Sequence, residues 1–279
     1  MLEAINRQLA TAAAIVNRVE PAGARPAQFQ VGVDLGTADI QTIAVDASGQ
    51  PLALLLDWAD VVRDGVVVDY AGACAIVRAQ LQKMEQCLGA AVTEVITSYP
   101  PGTDARISTN VVEAAGVTIK GVIDEPSSVA ALLGIRDGAV VDIGGGTTGT
   151  AIVRRGQVIA SRDDATGGRH VSLALAGHLR VSLEEAEQLK RACRDRSVID
   201  IVRPVIQKMA DVVNGHIAGF DVPAIYLTGG SCCLPGFREV FAAEFGAREV
   251  VLPAHPLYLT PLAIACYAAG AGGALQAAR

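Results

Sequence analysis

Two short segments carry the residues best suited to chemistry: Val33-Asp34-Leu35-Gly36-Thr37 and Val141-Asp142-Ile143-Gly144-Gly145-Gly146-Thr147-Thr148. Each is an apolar run that reaches a carboxylate and then turns on glycine. Glycine removes the side chain, so backbone N–H groups at Gly36, Gly144, Gly145 and Gly146 can approach an anion. Thr37, Thr147 and Thr148 add hydroxyl donors. Asp34 and Asp142 place a carboxylate at the same point of each segment, where Mg²⁺ on a polyphosphate takes oxygen ligands through water. One such segment alone reads as a β-hairpin with a turn glycine, whereas two matched ones point to phosphate binding. A third segment, Leu227-Thr228-Gly229-Gly230-Ser231, also follows an apolar strand. Its glycine pair would let a flat ring or a sugar pack on the backbone.

The elements that must position these residues form a pattern written twice. Asp34 is followed by Gly49-Gln50-Pro51-Leu52-Ala53 and Asp142 by Gly156-Gln157-Val158-Ile159-Ala160, with spacings that differ by one residue. Further on, each copy gives strand, turn, helix, strand, proline and helix. The first runs through Val92–Thr97, Pro101-Gly102, Ala105–Ala115, Val117–Ile123, Pro126 and Ser128–Leu133. The second runs through Ala224–Thr228, Pro235-Gly236, Phe237–Phe245, Glu249–Leu252, Pro261 and Leu262–Ala269. A duplicated unit of strands and crossover helices predicts two α/β half-domains that face one another. The expected division is lobe I over 29–136 and lobe II over 137–260, with a C-terminal helix at 261–279 returning to lobe I. Ahead of them, Leu2, Ile5, Leu9, Ala12, Val16 and Val19 fall at helical spacing, and residues 21–27 are rich in breakers. Residues 1–28 therefore read as an amphipathic helix and linker outside the main domain. The apolar stripe would either dock in a groove on another protein or pack back on the parent domain.

Bulk composition sets limits on function. Of 279 residues, 51% are hydrophobic and 19% charged, with a net charge of −6. That balance lacks the basic footprint of a nucleic-acid binder. No apolar run reaches the ~18 residues of a membrane span, and no basic segment leads into an apolar one at the N-terminus, so a cytoplasmic protein is expected. The 6 cysteines form no CxxC and have no histidine at finger spacing, which argues against zinc and against a disulfide scaffold. Cys232-Cys233 reads as a small buried pair, with a redox gate as the alternative.

These motifs resemble the signature set of the actin-like ATPase superfamily, which includes Hsp70, MreB, FtsA and sugar kinases. Asp34–Thr37 resembles the first phosphate loop and Asp142–Thr147 the second. Glu125-Pro126-Ser127-Ser128-Val129-Ala130-Ala131-Leu132 resembles the first connecting helix, Leu227–Ser231 the adenosine motif, and Pro261–Ala265 the second connecting helix. The motifs follow in the right order from about residue 29 to 270. The short chain, the Asp64–Tyr70 stretch and the Ser98-Tyr99-Pro100-Pro101-Gly102 turn are similar to the Hsp70-like family of ethanolamine utilization, a bacterial microcompartment system.

The resemblance implies the actin/Hsp70 nucleotide-binding fold, two RNase H-like lobes around a cleft that holds ATP or ADP with Mg²⁺. It implies a chaperone-type role, assisting or protecting ethanolamine ammonia-lyase or microcompartment assembly. By the same resemblance Asp34 and Asp142 hold Mg²⁺ through its water shell, and Thr37 and Thr147 donate to phosphate. Glu125 matches the acid that positions the attacking water, though an acid ahead of Pro126 also suits a helix N-terminus. Glu187 and Lys190, on a helix over Leu183–Ala192, resemble the pair that brackets adenine and ribose, and also read as an exposed i,i+3 ion pair. There are departures. Gly149 stands where Hsp70 has a second acid, Cys233 where it has an adenine-stacking Arg, and Thr260 where an acid opens the second connecting helix. Arg169 and His170 replace two acids after Gly167-Gly168, and the catalytic Lys has no counterpart, since Lys83 is the only Lys between Thr37 and Val92. Binding with slow hydrolysis or none is the expectation. The alternatives are an MreB- or FtsA-type filament or scaffold, and a small-molecule kinase.

Overall fold

The computed structural model describes residues 1–20, 26–63 and 66–267. Helix α1 (Leu2–Ile15) is followed by a meander of β1 (Phe29–Leu35), β2 (Asp39–Asp46) and β3 (Pro51–Trp58), then a small hairpin of β4 (Val62–Arg63) and β5 (Val66–Val67). Helix α2 (Tyr70–Leu88) leads to β6 (Glu94–Tyr99), α3 (Arg106–Ala114) and β7 (Thr118–Asp124), and α4 (Glu125–Leu132) crosses to the second half. There β8 (Gly138–Ile143), β9 (Thr148–Arg154) and β10 (Gln157–Asp164) repeat the meander. Three helices follow: α5 (Gly168–Leu179), α6 (Leu183–Ala192) and α7 (Ile199–Ile217). The chain then adds β11 (Ala224–Thr228), α8 (Phe237–Ala242), β12 (Glu249–Val251) and α9 (Leu259–Cys266). The two sheets have the same plan, in the orders β3-β2-β1-β6-β7 and β10-β9-β8-β11-β12. In each, the meander is antiparallel and the last two strands join in parallel through helical crossovers.

The strands nearest the cleft read as continuous apolar runs because both of their faces are covered. Strand β8 is buried along its whole length, and β9 for all but its last residue. Helix α2 seals the first sheet with Val77, Leu81, Met84 and Leu88. Helix α7 seals the second with Val202, Ile206, Met209 and Val213, beside a ladder of Phe237, Phe241 and Phe245 whose ring centroids lie 5.6 and 4.9 Å apart. Helix α4 starts at Glu125, earlier than the apolar pattern suggests. The Asp124 carboxylate accepts the Ser127 N–H at 3.1 Å, and Pro126 occupies the first turn, where no N–H is needed. Helix α8 is shorter than expected because Ala243–Phe245 tightens into a 3₁₀ turn.

A third apolar core lies between the sheets. It joins Ile43, Val45 and Leu54 of the first sheet, Val140 and Val153 of the second, and residues of α4 and α9. Ile5, Leu9 and Ala12 of α1 belong to the same core. Of the two readings of the apolar stripe, docking elsewhere and packing back on the parent domain, the structure has the second. The edge strand β3 and the apolar seam beside it need a cover, and α1 supplies one. Val16 bridges to Leu54, and Asn17 uses its side-chain amide as a strand would use its backbone: Nδ2 donates to the Leu56 carbonyl at 2.9 Å and Oδ1 accepts the Leu56 N–H at 2.9 Å. Gln8 donates to the Gly49 carbonyl at 3.0 Å and Asn6 accepts the Ala254 N–H at 2.9 Å. Helix α9 lies over β1, β2 and β6. Residues 21–25 of the expected linker, Asp64 and Gly65, and residues 268–279 of the expected C-terminal helix fall outside the described residues. Among the described residues no helix is long and apolar enough to cross a membrane.

Leu9 is fully buried. Leu9→Ala should therefore lower unfolding stability by about 2–5 kcal/mol in urea titration, the usual range for a large-to-small change in a core. Unchanged stability would mean that α1 does not hold its place in solution.

Candidate functional site

In both sheets the carboxyl ends of the parallel strands open on the crevice between the lobes, the place where open α/β sheets bind ligands. Asp34 sits near the end of β1, Asp142 near the end of β8, and Glu125 directly after β7. Each aspartate is steadied from the neighbouring element. Ser98 of β6 donates to Asp34 Oδ1 at 3.0 Å, and Thr260 of α9 donates to Asp142 Oδ2 at 2.7 Å. The Thr260 hydroxyl is also 3.0 Å from that of Thr228. A hydroxyl at position 260 thus serves as a donor to Asp142 where an acid would repel it.

The two glycine loops touch. A Cβ on Gly145 would lie 2.4 Å from Ala38 Cβ, and one on Gly146 would lie 2.6 Å from Thr37 Cγ2. Gly145 is therefore set by loop-to-loop packing as much as by access to an anion. The Gly144 carbonyl accepts the Gly168 N–H at 2.9 Å and the Ser231 hydroxyl at 2.7 Å, and the Gly145 carbonyl accepts the Arg169 N–H at 2.8 Å. Gly229 has φ +95°, and a Cβ there would lie 2.4 Å from the Ile143 carbonyl oxygen. Both loops, the start of α5 and the Gly229–Ser231 turn are thus locked into one unit.

That unit encloses a cavity of about 590 Å³, within the range of small-molecule sites. Its wall includes Asp34, Gly36, Thr37, Glu125, Asp142, Gly144, Gly145, Thr147, Glu187, Lys190, Gly229, Gly230 and Ser231. Gly146 and Thr148 are not part of it. Gly146 backs onto Thr37, and Thr148 is fully buried with its hydroxyl donated to the Thr166 carbonyl at 2.7 Å. The assignment of Thr148 as a phosphate donor is corrected accordingly. The Cys232-Cys233 pair is also not uniformly buried: Cys232 is, whereas Cys233 faces the cavity. Its thiol is pushed up to about 11, chiefly by desolvation, the direction that disfavours the reactive thiolate.

Acidic groups are crowded at the closed end. Burial, then Asp39 and Asp142, push Asp34 up to about 8 against the Ser98 hydrogen bond. Burial takes Asp142 to about 6 and Asp39 to about 6. Asp163 rises to about 7 through burial, opposed by the Thr147 hydroxyl. Glu125 is driven well above the carboxylate range by burial and by Asp34, Asp142, Asp163 and Asp124. Two buried oxygens in and beside the cavity, Asp163 Oδ1 and Gln41 Oε1, have no hydrogen-bond partner. Among the described residues no three acidic, histidine or cysteine side chains stand close enough to grip a metal directly. This donor set fits a hard cation that keeps its waters, as Mg²⁺ does, in preference to one stripped by the protein. Asp39 and Asp163 went unrecognised in the sequence, where Asp39 follows its loop as an ordinary polar residue and Asp163 lies a strand farther on, in β10.

At the open end Glu187 accepts from the Ser172 hydroxyl at 2.5 Å and pairs with Lys190 at 2.7 Å and Arg191 at 2.8 Å. Lys190 also donates to the Gly168 carbonyl at 3.1 Å. The pair is half-buried, unlike a surface i,i+3 pair. Burial raises Glu187, but Lys190, the hydrogen bonds and Arg191 outweigh it and hold the carboxyl below its usual range. Arg191 also lies 3.9 Å from the ring centroid of Trp58, so that a cation–π contact joins α6 to the end of β3 across the mouth.

Comparison with known proteins agrees with this architecture. The family model "Cell division protein FtsA" matches residues 139–272. The chain is 52% identical over 258 residues to the ethanolamine utilization protein EutJ of Escherichia coli (strain K12), covering 92% of each. It is similar to the crystal structure of ethanolamine utilization protein EutJ from Carboxydothermus hydrogenoformans at TM-score 0.89 and 44% identity, covering 95% of this chain and 99% of the other. MreB5 of Spiroplasma citri, in a crystal structure bound to ADP, shares the fold at TM-score 0.67 and 17% identity, over 85% of this chain and 95% of its own. The fold is that of the actin-like ATPases.

The raised carboxylates fix the sign of a pH effect. Between about pH 5 and pH 8 the folded chain holds more protons at Asp34, Asp39, Asp142 and Asp163 than the unfolded chain does, so stability falls as pH rises. Carboxyls lowered by partners, such as Glu187, act only at more acidic pH. Without a divalent cation the melting temperature should drop across that window. Mg²⁺ with ADP should recover most of the loss at the alkaline end. A flat calorimetric profile would refute the charge crowding.

Proposed function

The chain belongs to the family of the ethanolamine utilization protein EutJ, and from that premise we propose that it is a nucleotide-switched, chaperone-type assistant of ethanolamine utilization. It binds ATP or ADP with Mg²⁺ in the cleft and turns it over slowly or not at all. The observation that carries this reading is the pair of carboxylate-bearing glycine loops in direct contact across one cavity. Asp34 and Asp142 would face the water shell of Mg²⁺, and Thr37 and Thr147 with the loop N–H groups would face the phosphates. Gly229, Gly230 and Ser231 would take the nucleoside, with Glu187 and Lys190 at its edge. The bound cation would supply charge neutralisation at the phosphates.

Glu125 borders the same space, and burial, with Asp34, Asp142, Asp163 and Asp124 around it, raises its pKa. No Lys lies at the closed end of the cavity among the described residues, which favours binding over turnover. Closure of the cleft on nucleotide would change the outer faces of the lobes, which is how such a cleft is read by a partner. The proposed partners are ethanolamine ammonia-lyase or microcompartment proteins, which would place the chain in the cytoplasm beside a microcompartment. A scaffold built of its own copies is the second reading, favoured by the FtsA-family match over residues 139–272.

Calorimetry with Mg-ADP and Mg-ATP tests the core of the proposal. Asp142→Ala should weaken binding at least about tenfold, a loss of about 1.4 kcal/mol. Gly145→Val should weaken it through a different cause, by wedging the two loops apart at Ala38. Full affinity in both folded variants would remove the site. Turnover should fall far below the ordinary enzyme scale of about 10 s⁻¹, and where any is measured Glu125→Gln should lower it without changing affinity. Co-purification with ammonia-lyase or shell proteins should differ between ATP and ADP. Nucleotide-dependent sedimentation of the protein alone would favour the scaffold instead.

A further inference from the structure

Asp142, Gly149 and Asp163 form one row across three neighbouring strands. Asp142 of β8 stands opposite Gly149 of β9, and Gly149 stands opposite Asp163 of β10. Residues directly opposite in antiparallel strands point to the same face of the sheet. The three positions therefore share the sheet face on which Asp142 meets the cavity, with the middle one bare. A Cβ on Gly149 would find Asp163 Oδ1 at 3.4 Å and the ring of Pro101, from the first lobe, at 3.5 Å. The side chain of Asp163 thus leans over the glycine, where the Thr147 hydroxyl and the charge of Asp142 both act on its carboxyl. Its neighbours on β10 point the other way. Arg162 donates to the Gly215 carbonyl at 3.2 Å, and Asp164 pairs with His216 at 2.6 Å, both on α7. Asp163 Oδ1 is buried and lacks a partner within the protein, a condition that buried polar atoms rarely tolerate.

We propose that Asp163 is the third carboxylate of the cation site, reached from the adjacent strand across the space that Gly149 leaves open, and that it holds a water of the Mg²⁺ shell. This rests on the nucleotide reading above and deepens it. Asp163 is a positioning residue, because its carboxylate meets the cation's water and not the nucleotide. The bare position 149 and the orphaned oxygen are two sides of the same arrangement. An acid on β9 would occupy the space that Asp163 now fills, and a hydrated cation gives the unpartnered oxygen a donor.

The test is the gain in ADP affinity on replacing EDTA with Mg²⁺, measured by calorimetry, with bound Mn²⁺ counted by electron paramagnetic resonance. The wild type should bind at least about tenfold tighter with Mg²⁺, a difference of about 1.4 kcal/mol. Asp163→Asn, nearly the same shape, should keep the affinity seen in EDTA and lose most of the gain. The pair Asp163→Ala with Gly149→Asp should restore it, since the carboxylate returns to the same point from β9. The substitution at 149 meets only ordinary contacts, so this second variant stands even where Asp163→Asn folds poorly. A full Mg²⁺ gain in Asp163→Asn, or no recovery in the double variant, overturns the assignment and leaves the nucleotide reading intact. Absence of ADP binding in the wild type, with or without Mg²⁺, overturns the nucleotide reading and this assignment with it.

Discussion

Four carboxylates, Asp34, Asp39, Glu125 and Asp142, line one crevice, with Asp163 on the adjoining strand, and their burial, with repulsion among several of them second, is the constraint that the rest of the structure accommodates. Buried like charges shift toward their neutral forms unless something opposes them. Here the opposition is local and modest: hydroxyls of Ser98, Thr260 and Thr147 at Asp34, Asp142 and Asp163, and the Gln41 amide at Asp39. Arg191 eases Asp39 from a distance, but Lys190 and Arg191 both hydrogen-bond to Glu187 at the mouth. The crevice is thus left with buried carboxyls that a hydrated divalent cation would relieve, and a site of this kind would be preorganised for such a ligand.

Rigidity is arranged around those carboxyls. Each sheet has its own sealed core, and the loops that carry the aspartates are tied to α5 and to the Gly229 turn by backbone carbonyls. Between the lobes lie the shared apolar core, the touch of Gly145 on Ala38, the hydrogen bond from Ser161 to Asp124 and the stacking of Arg191 on Trp58. Trp58 is the only tryptophan in the chain, so the mouth carries its own spectroscopic reporter.

Much of this was legible in the sequence because it is written in short-range signals. Asp-x-Gly turns after apolar runs, the doubled spacing and the Gly229-Gly230 pair each depend on residues close in the chain, and the helix over Leu183–Ala192 has the bounds read from its pattern. What escaped depends on register and on neighbours far away. Asp163 matters because of which residue of β9 it faces, and a strand's partner is not visible in its own residues. Thr148 lies next to a loop threonine yet points into the sheet, since side chains alternate along a strand. Helix α1 looked detachable because an apolar stripe ahead of a proline-rich stretch says nothing of what it covers. The cover is decided by β3, forty residues later, and by α9 near the other end of the described chain.

The seam between the lobes therefore has an unusual schedule. It joins Ile5, Leu9 and Ala12 to Leu259, Leu262 and Ala265, so it cannot close until nearly the whole chain has been made. At ribosomal speeds of about 5–20 residues per second, the first helix waits on the order of tens of seconds for its last neighbours. The first sheet can assemble earlier, but its edge at β3 stays bare in the interval unless Asn17 has already reached Leu56. A pairing made by one side chain so early in the chain would shield a newborn edge from joining the strands of other molecules. Translation, and not only the finished fold, gives that asparagine its work.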